Sequence, residues 1–310
     1  MLRKILPTEI TYVIDARLNL SRIYELRFRA DMPAVINYGG RYYYIGKNGI
    51  TEDVKGALIV SADTVKGIVI KATEFSLYSV NNQLVKGYIT ISGGIRLGVC
   101  GEIVRDGGDV KTIKNFTSVN IRIPHEVPGC SLTACSFIND TRLRSALIAA
   151  PPGAGKTTVL RDLCKNLCRE GIKNLLLVDE RCEIAAVYDG RPQLDVGKNT
   201  DIISNCSKAY AFSYGIRSMR PDLIVTDELM GEEDFGAVAG AVAGGVSVIA
   251  SIHASTPDEL FARVGFKEIF AKKIFSRYVF LSERKGPGTY EYIYDADMKC
   301  IYFAAYYDGA

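Results

Sequence analysis

The residues whose types and spacing could do chemistry begin in the stretch LIAAPPGAGKTTVLRDL, residues 147–163. A bound phosphate needs converging backbone N–H groups, a helix N-terminus and a mobile positive charge. The loop running from Ala150 through Thr158 offers all three. Gly153 and Gly155 permit tight wrapping, with Pro152, Ala154 and Thr158 completing the backbone cradle. Lys156 can reach the β and γ phosphates of a nucleotide, and Thr157 can present its hydroxyl to Mg2+. Ala150 stands where the usual pattern has its first glycine. That position begins the turn rather than lining the phosphates, and a small residue with negative φ fits it. A strand before the loop and an amphipathic helix after it favour phosphate binding over a plain Gly/Pro turn. ATP with Mg2+ is the ligand this pattern predicts.

Such a site needs an acid for the metal and its water shell, and a carboxylate to handle the attacking water. Two acid pairs compete: Asp179-Glu180 closes NLLLVDE, and Asp227-Glu228 closes DLIVTDE. In a RecA-like arrangement the metal acid is expected on the strand beside the loop in space rather than in sequence. Asp227 is therefore assigned to Mg2+, Glu228 to water activation and Glu180 to a supporting acidic role. His253, one of two histidines, follows VSVIASI, where it could sense the γ-phosphate or couple neighbouring loops. Arg217 and Arg220 precede the second acidic strand, and Arg181 follows the first acid pair. Guanidinium groups stabilise charge on a transferring phosphoryl, and position decides between that role and a solvated surface arginine.

The elements that must position these residues change character along the chain. Before residue 115 come short alternating runs: IYELRFRA, PAVINY, RYYYIG, FSLYSV and GYITISGGIRLGVCGEIV. They are separated by turn residues, with a hairpin turn expected at Asp106-Gly107. A helix is expected over 51–62, with Thr51 as cap and Asp53 in its first turn. A second helical stretch could lie in KGALIVSADTVKGIV. The run IKNFTSVNIRIPHEVPGC reads as one more strand and then a linker broken by Pro124 and Pro128. From about 135 the rhythm becomes strand, loop, helix, and the continuous apolar runs ending in acids read as buried parallel strands. The expected organisation is an α+β domain over 1–123, a linker over 124–134 and an α/β domain over 135–310.

Composition narrows the function classes only modestly. A net charge of +3 over 310 residues neither requires nor excludes a nucleic-acid partner. The eight cysteines show no paired C-x-x-C spacing, so a structural zinc is not expected and a reducing compartment is. The uncharged stretch 236–252 is too short and too rich in Gly and Ala for a membrane span, and reads as a helix followed by a buried strand.

The combination of ELRFRADMPAVI, GYITISGGIRLGVCGEIV, SVNIRI, PPGAGKTTVLRDL, VDERCEIAA, IRSMRPDLIVTDEL and SIHAST resembles the stage III sporulation protein AA family across nearly the whole chain. The resemblance implies a RecA-like P-loop ATPase domain with a smaller N-terminal α+β domain, similar to type II and type IV secretion ATPases. It implies a cytoplasmic motor of the mother cell-to-forespore channel, peripheral to the membrane. It also implies a hexameric homo-oligomeric ring docked on membrane-embedded sporulation proteins such as stage III sporulation protein AB, with no nucleic acid expected. Carried across by motif, Lys156 and Thr157 are the Walker A pair and Asp227 with Glu228 the Walker B pair. Glu180 falls in the acidic box and His253 in the histidine box, while Arg217 and Arg220 stand where relatives often carry arginines. One departure is GGIR, with Ile95 in the place of the family's usual histidine. A nucleic-acid-dependent RecA-like ATPase and a nucleotide-gated structural ring subunit are the alternatives, distinguished by stimulation with single strands and by absence of phosphate release.

Overall fold

The computed structural model describes residues 2–74, 76, 80–85 and 87–304. Of the run FSLYSV, residues 75 and 77–79 lie outside the described residues. The chain divides into two units, one of residues 1–125 with 188–193, the other of 126–187 and 194–310.

The first unit opens with helices α1 (Leu2–Ile5) and α2 (Thr8–Arg17). Strands β1 (Ile23–Arg29), β2 (Met32–Pro33), β3 (Val35–Tyr38), β4 (Arg41–Gly46), β5 (Gly49–Thr51) and β6 (Ile59–Val60) follow. Helices α3 (Ala62–Ala72) and α4 (Asn81–Val85) lead to β7 (Tyr88–Ile91), β8 (Ile95–Asp106) and β9 (Asp109–Arg122). Seven strands make one sheet in the order β5-β4-β3-β1-β9-β8-β7. Ile23, Leu26, Phe28 and Ile36 from the sheet pack with Val65, Ile68 and Val69 of α3 in one core.

The helix expected over 51–62 is not there. Thr51 ends β5 and its hydroxyl accepts from the Asp53 amide. Asp53 caps only a 3-10 turn, Val54–Gly56. The α-helix begins at Ala62, where Ser61 Oγ accepts from the Thr64 amide at 3.1 Å. The helical period belongs to Val65, Ile68, Val69 and Ala72, all buried, whereas Gly56 and the β-branched residues around it offer no such stripe. The β8–β9 hairpin turns at Gly107 and Gly108, whose φ values of 59° and 103° suit glycine at both central positions. Ile95 is buried in this core. Its neighbour Arg96 lies 3.9 Å from the centre of the Tyr88 ring.

The second unit contains α5 (Leu132–Ile138), β10 (Ala146–Ala149), α6 (Lys156–Arg169), β11 (Leu175–Asp179), β12 (Thr200–Ser204), α7 (Lys208–Met219) and β13 (Leu223–Glu228). Then come α8 (Glu232–Ala243), β14 (Ser247–Ile252), α9 (Pro257–Phe261), α10 (Phe266–Ala271), β15 (Arg277–Ser282), β16 (Thr289–Asp295) and β17 (Cys300–Phe303). Eight strands form one sheet in the order β12-β11-β13-β14-β10-β15-β16-β17. The pairs from β12 to β15 are parallel, and β16 and β17 return antiparallel. Two cores cover the two faces. Leu175, Leu177, Val225 and Ile249 pack under α6, and Leu176, Val178, Ile224 and Val248 pack under α7 and α8. Burial on both faces explains why these strands read as unbroken apolar runs. Among the described residues, no helix is long and apolar enough to cross a membrane.

Candidate nucleotide site

The phosphate loop joins β10 to α6, so the first turn of α6 directs its N–H groups at whatever the loop encloses. Gly153 and Gly155 sit at φ 82° and 84°, the left-handed region. A Cβ on Gly155 would lie 2.9 Å from the Gly288 nitrogen, and one on Gly153 would lie 2.8 Å from Glu283 Oε1. The turn between β15 and β16 therefore packs directly on the loop, and the Gly288 amide donates to Ala154 O at 2.9 Å.

Lys156 is 8% exposed. Its ammonium donates to the carbonyls of Ala150 and Pro151, both at 2.9 Å, and lies 2.7 Å from His253 Nδ1. The opposite ring nitrogen, Nε2, is 3.0 Å from Glu228 Oε2. With Lys156 donating to Nδ1, the imidazole proton sits on Nε2 and points at Glu228. Burial pushes the Lys156 ammonium down to about 8, against the pull of Glu228. Arg263 donates to the His253 carbonyl and fixes the loop that carries the ring.

The topology corrects one expectation. The strand beside β10 is β14, with Ala149 opposite Ile252, and β13 lies one strand further away. Two strand spacings put β10 and β13 roughly 10 Å apart. His253, following β14, spans that gap between Lys156 and Glu228. The β13–β14 register shifts between Val225 and Glu228. An irregularity of this kind re-aims the side chains at a strand end.

Asp227 faces a second group. Lys208, 3% exposed, brings its ammonium to 2.5 Å from Glu180 Oε2, 3.0 Å from Asp227 Oδ1 and 3.9 Å from Asp234 Oδ2. Asp227 Oδ2 accepts the Arg181 amide at 3.3 Å, and the Arg181 guanidinium lies 3.6 Å from Glu228. Arg181 thus joins the two groups. The contact at Oδ1 has ion-pair distance without hydrogen-bond geometry, so that buried oxygen keeps an unused lone pair. Burial pushes the Asp227 carboxyl up to about 6, with Lys208 pulling against it. Burial also works to lower the Lys208 ammonium, but Asp227, Glu180 and Asp234 together hold it above the ordinary lysine value.

Asp179 has a different task from its neighbour Glu180. Fully buried, it accepts backbone N–H bonds from Glu183, Ile184 and Ala185 at 2.9–3.1 Å and shapes the loop after β11. Arg217 and Arg220 are not brought to either group. Both are exposed at the far end of α7, Arg217 bonded to Ser213 and Arg220 in the left-handed cap. Along α7, Arg217 lies about 14 Å and Arg220 about 18 Å beyond Lys208.

Sequence reasoning missed Lys208 and two buried charges of α6. Asp162 accepts from the amides of Gly129 and Ser131 and from Asn166 Nδ2 at 2.8–3.1 Å. Arg161 donates to the carbonyls of Glu183 and Ile184. A signal for Lys208 existed: it is the first helical residue after the Ser207 cap, where the helix dipole disfavours a cation unless counter-charges compensate.

The fold resembles that of solved ATPase structures. The ATPase DotB of Legionella pneumophila superposes with a TM-score of 0.54 at 13% identity, over 96% of this chain and 80% of that one. The pilus retraction motor PilT, solved with ADP, superposes with a TM-score of 0.57 at 14% identity, over 88% of this chain and 76% of that one. In sequence, stage III sporulation protein AA of Bacillus subtilis is 36% identical over 280 residues, 89% of this chain and 87% of that protein. The family model "Sporulation stage III, protein AA" matches residues 1–301. The chain belongs to the stage III sporulation protein AA family.

Proposed function

We propose that the protein is an ATP-hydrolysing motor subunit of the sporulation channel. The observation that carries this reading is the continuous contact from Lys156 through His253 to Glu228, set at the mouth of a left-handed glycine loop on a helix N-terminus. That arrangement suits a nucleotide triphosphate. The loop amides and Lys156 bind and orient phosphate oxygens, and the charge they bring offsets the cost of burying the ammonium. Glu228 holds and moves the proton of an attacking water, with His253 fixing its carboxylate. The buried carboxylate of Asp227, with a lone pair of Oδ1 unused, fits the outer shell of a divalent cation held by Thr157. Bound Mg2+ supplies charge neutralisation at the transferring phosphoryl. Glu180 supports Asp227 through Lys208.

Arg217 and Arg220 stand outside the site of their own subunit and serve a neighbour in a homo-oligomeric ring, which we take to be hexameric. Membrane-embedded sporulation proteins, stage III sporulation protein AB among them, are the proposed docking partners on the mother-cell cytoplasmic side. The test is binding of a fluorescent ADP analogue to the wild type and Lys156→Ala, with size measured by light scattering. Loss of binding in the variant, and nucleotide-dependent growth to a ring that Arg220→Ala leaves assembled but inactive, are expected. Equal binding by both proteins would overturn the reading. Hydrolysis stimulated by single-stranded DNA would move the protein to the nucleic-acid-dependent class.

A further inference from the structure

We infer that Lys208 is a built-in counter-cation that keeps a bare divalent metal out of the acid cluster and makes metal entry depend on nucleotide. The inference rests on the reading of Asp227 as the metal acid. Three carboxylates from three elements converge on this one ammonium: Glu180 after β11, Asp227 on β13 and Asp234 on α8. The ammonium sits where a small cation would be drawn, within 3.0 Å of both Asp227 and Glu180. Its side chain is 3% exposed, so little solvent screens it.

The placement is costly in isolation. A lysine at the first position of a helix opposes the dipole, and burial opposes the charge. Both costs are met only because the carboxylates surround it. Removing the ammonium while keeping the acids leaves up to three negative charges facing one another without their counter-cation, a setting that attracts Mg2+ or Mn2+ without phosphate. With Lys208 in place, one of the three charges is neutralised and the ammonium itself fills the position between the carboxylates. A divalent ion near Asp227 then needs the further negative charge that nucleotide phosphates bring.

The experiment is Mn2+ binding to the full chain, followed by electron paramagnetic resonance of free Mn2+, with and without ATP. Wild type and Lys208→Arg should bind Mn2+ weakly alone and tightly with ATP. Lys208→Gln should bind Mn2+ without ATP at least about tenfold more tightly than the wild type, and Asp227→Asn added to it should remove the gain. A folded Lys208→Gln protein with wild-type Mn2+ affinity overturns the inference. Should that variant fail to fold, Glu180→Gln gives the second reading, since it leaves the cluster more positive. Mn2+ uptake with ATP should then weaken about threefold or more, and unchanged uptake overturns the inference. If Asp227→Asn alone leaves ATP-dependent Mn2+ uptake untouched, the metal-acid reading falls and takes this inference with it. Uptake that depends on Asp227 without any gain in Lys208→Gln sinks the inference alone.

Discussion

Replacing Lys156 by methionine should change how the protein's stability depends on pH, and the size of the change follows from where the ammonium sits. Burial lowers it from 10.5 to about 8. The folded value lies below the unfolded one, so the group destabilises the fold in full below about pH 8. The penalty fades as pH rises towards 10.5 and the native state releases its proton first. At 1.36 kcal/mol per unit, the penalty is roughly 3 kcal/mol at pH 7 and about 2 kcal/mol at pH 9. Between those two pH values the wild type should gain about 1 kcal/mol that Lys156→Met does not gain. Subtracting slopes removes the separate cost of leaving the Ala150 and Pro151 carbonyls without their donor, which is the same at both pH values. The assay is urea unfolding followed by far-ultraviolet circular dichroism at pH 7 and 9 for both proteins, without nucleotide. Parallel pH dependences would refute the reasoning, because they would mean the ammonium carries no burial penalty. Saturating ADP should shrink the wild-type slope, since phosphate charge relieves the same penalty.

Other positions test the supports of the site. Gly155→Ala forces an L side chain to φ 84° with its Cβ 2.9 Å from the Gly288 nitrogen; a loss of about 2–4 kcal/mol in thermal or urea stability is expected, with nucleotide binding lost as well. Asp162→Ala strips the acceptor from the Gly129 and Ser131 amides and from Asn166. A cost of about 3 kcal/mol is expected in urea unfolding, and a wild-type midpoint would show that the segment before α5 is held by other contacts. His253→Ala should lower kcat about 10–100-fold while leaving nucleotide affinity within a few-fold. A kcat unchanged in steady-state phosphate release would remove His253 from the chain joining Lys156 to Glu228.

Much of the fold was legible because its strongest signals are local. The strands that carry acids at their ends are buried on both faces and so read as continuous apolar runs, and the loop between β10 and α6 has its glycines where φ must be positive. The misplaced helix at 51–62 shows the limit of caps read alone. Thr51 and Asp53 do accept backbone amides, but in turns, and only the buried stripe from Val65 to Ala72 sustains an α-helix. The order of strands was not legible, because periodicity says nothing about neighbours. Hence β14, rather than β13, proved to lie beside the loop. Lys208 escaped notice for a related reason. Its partners come from three separated segments, and only folding assembles them. Arg217 and Arg220 precede β13 in the chain, yet the direction of α7 carries them away from the acids at the strand ends.

The most direct test of the central claim is phosphate release from ATP and Mg2+ by the wild type, Lys156→Ala and Glu228→Gln, beside nucleotide binding by all three. Wild-type protein should release phosphate. Glu228→Gln should bind nucleotide as the wild type does and release at least about a hundredfold less phosphate, because its amide cannot take the water's proton. Lys156→Ala should fail at binding. Phosphate release by Glu228→Gln at the wild-type rate would contradict the account.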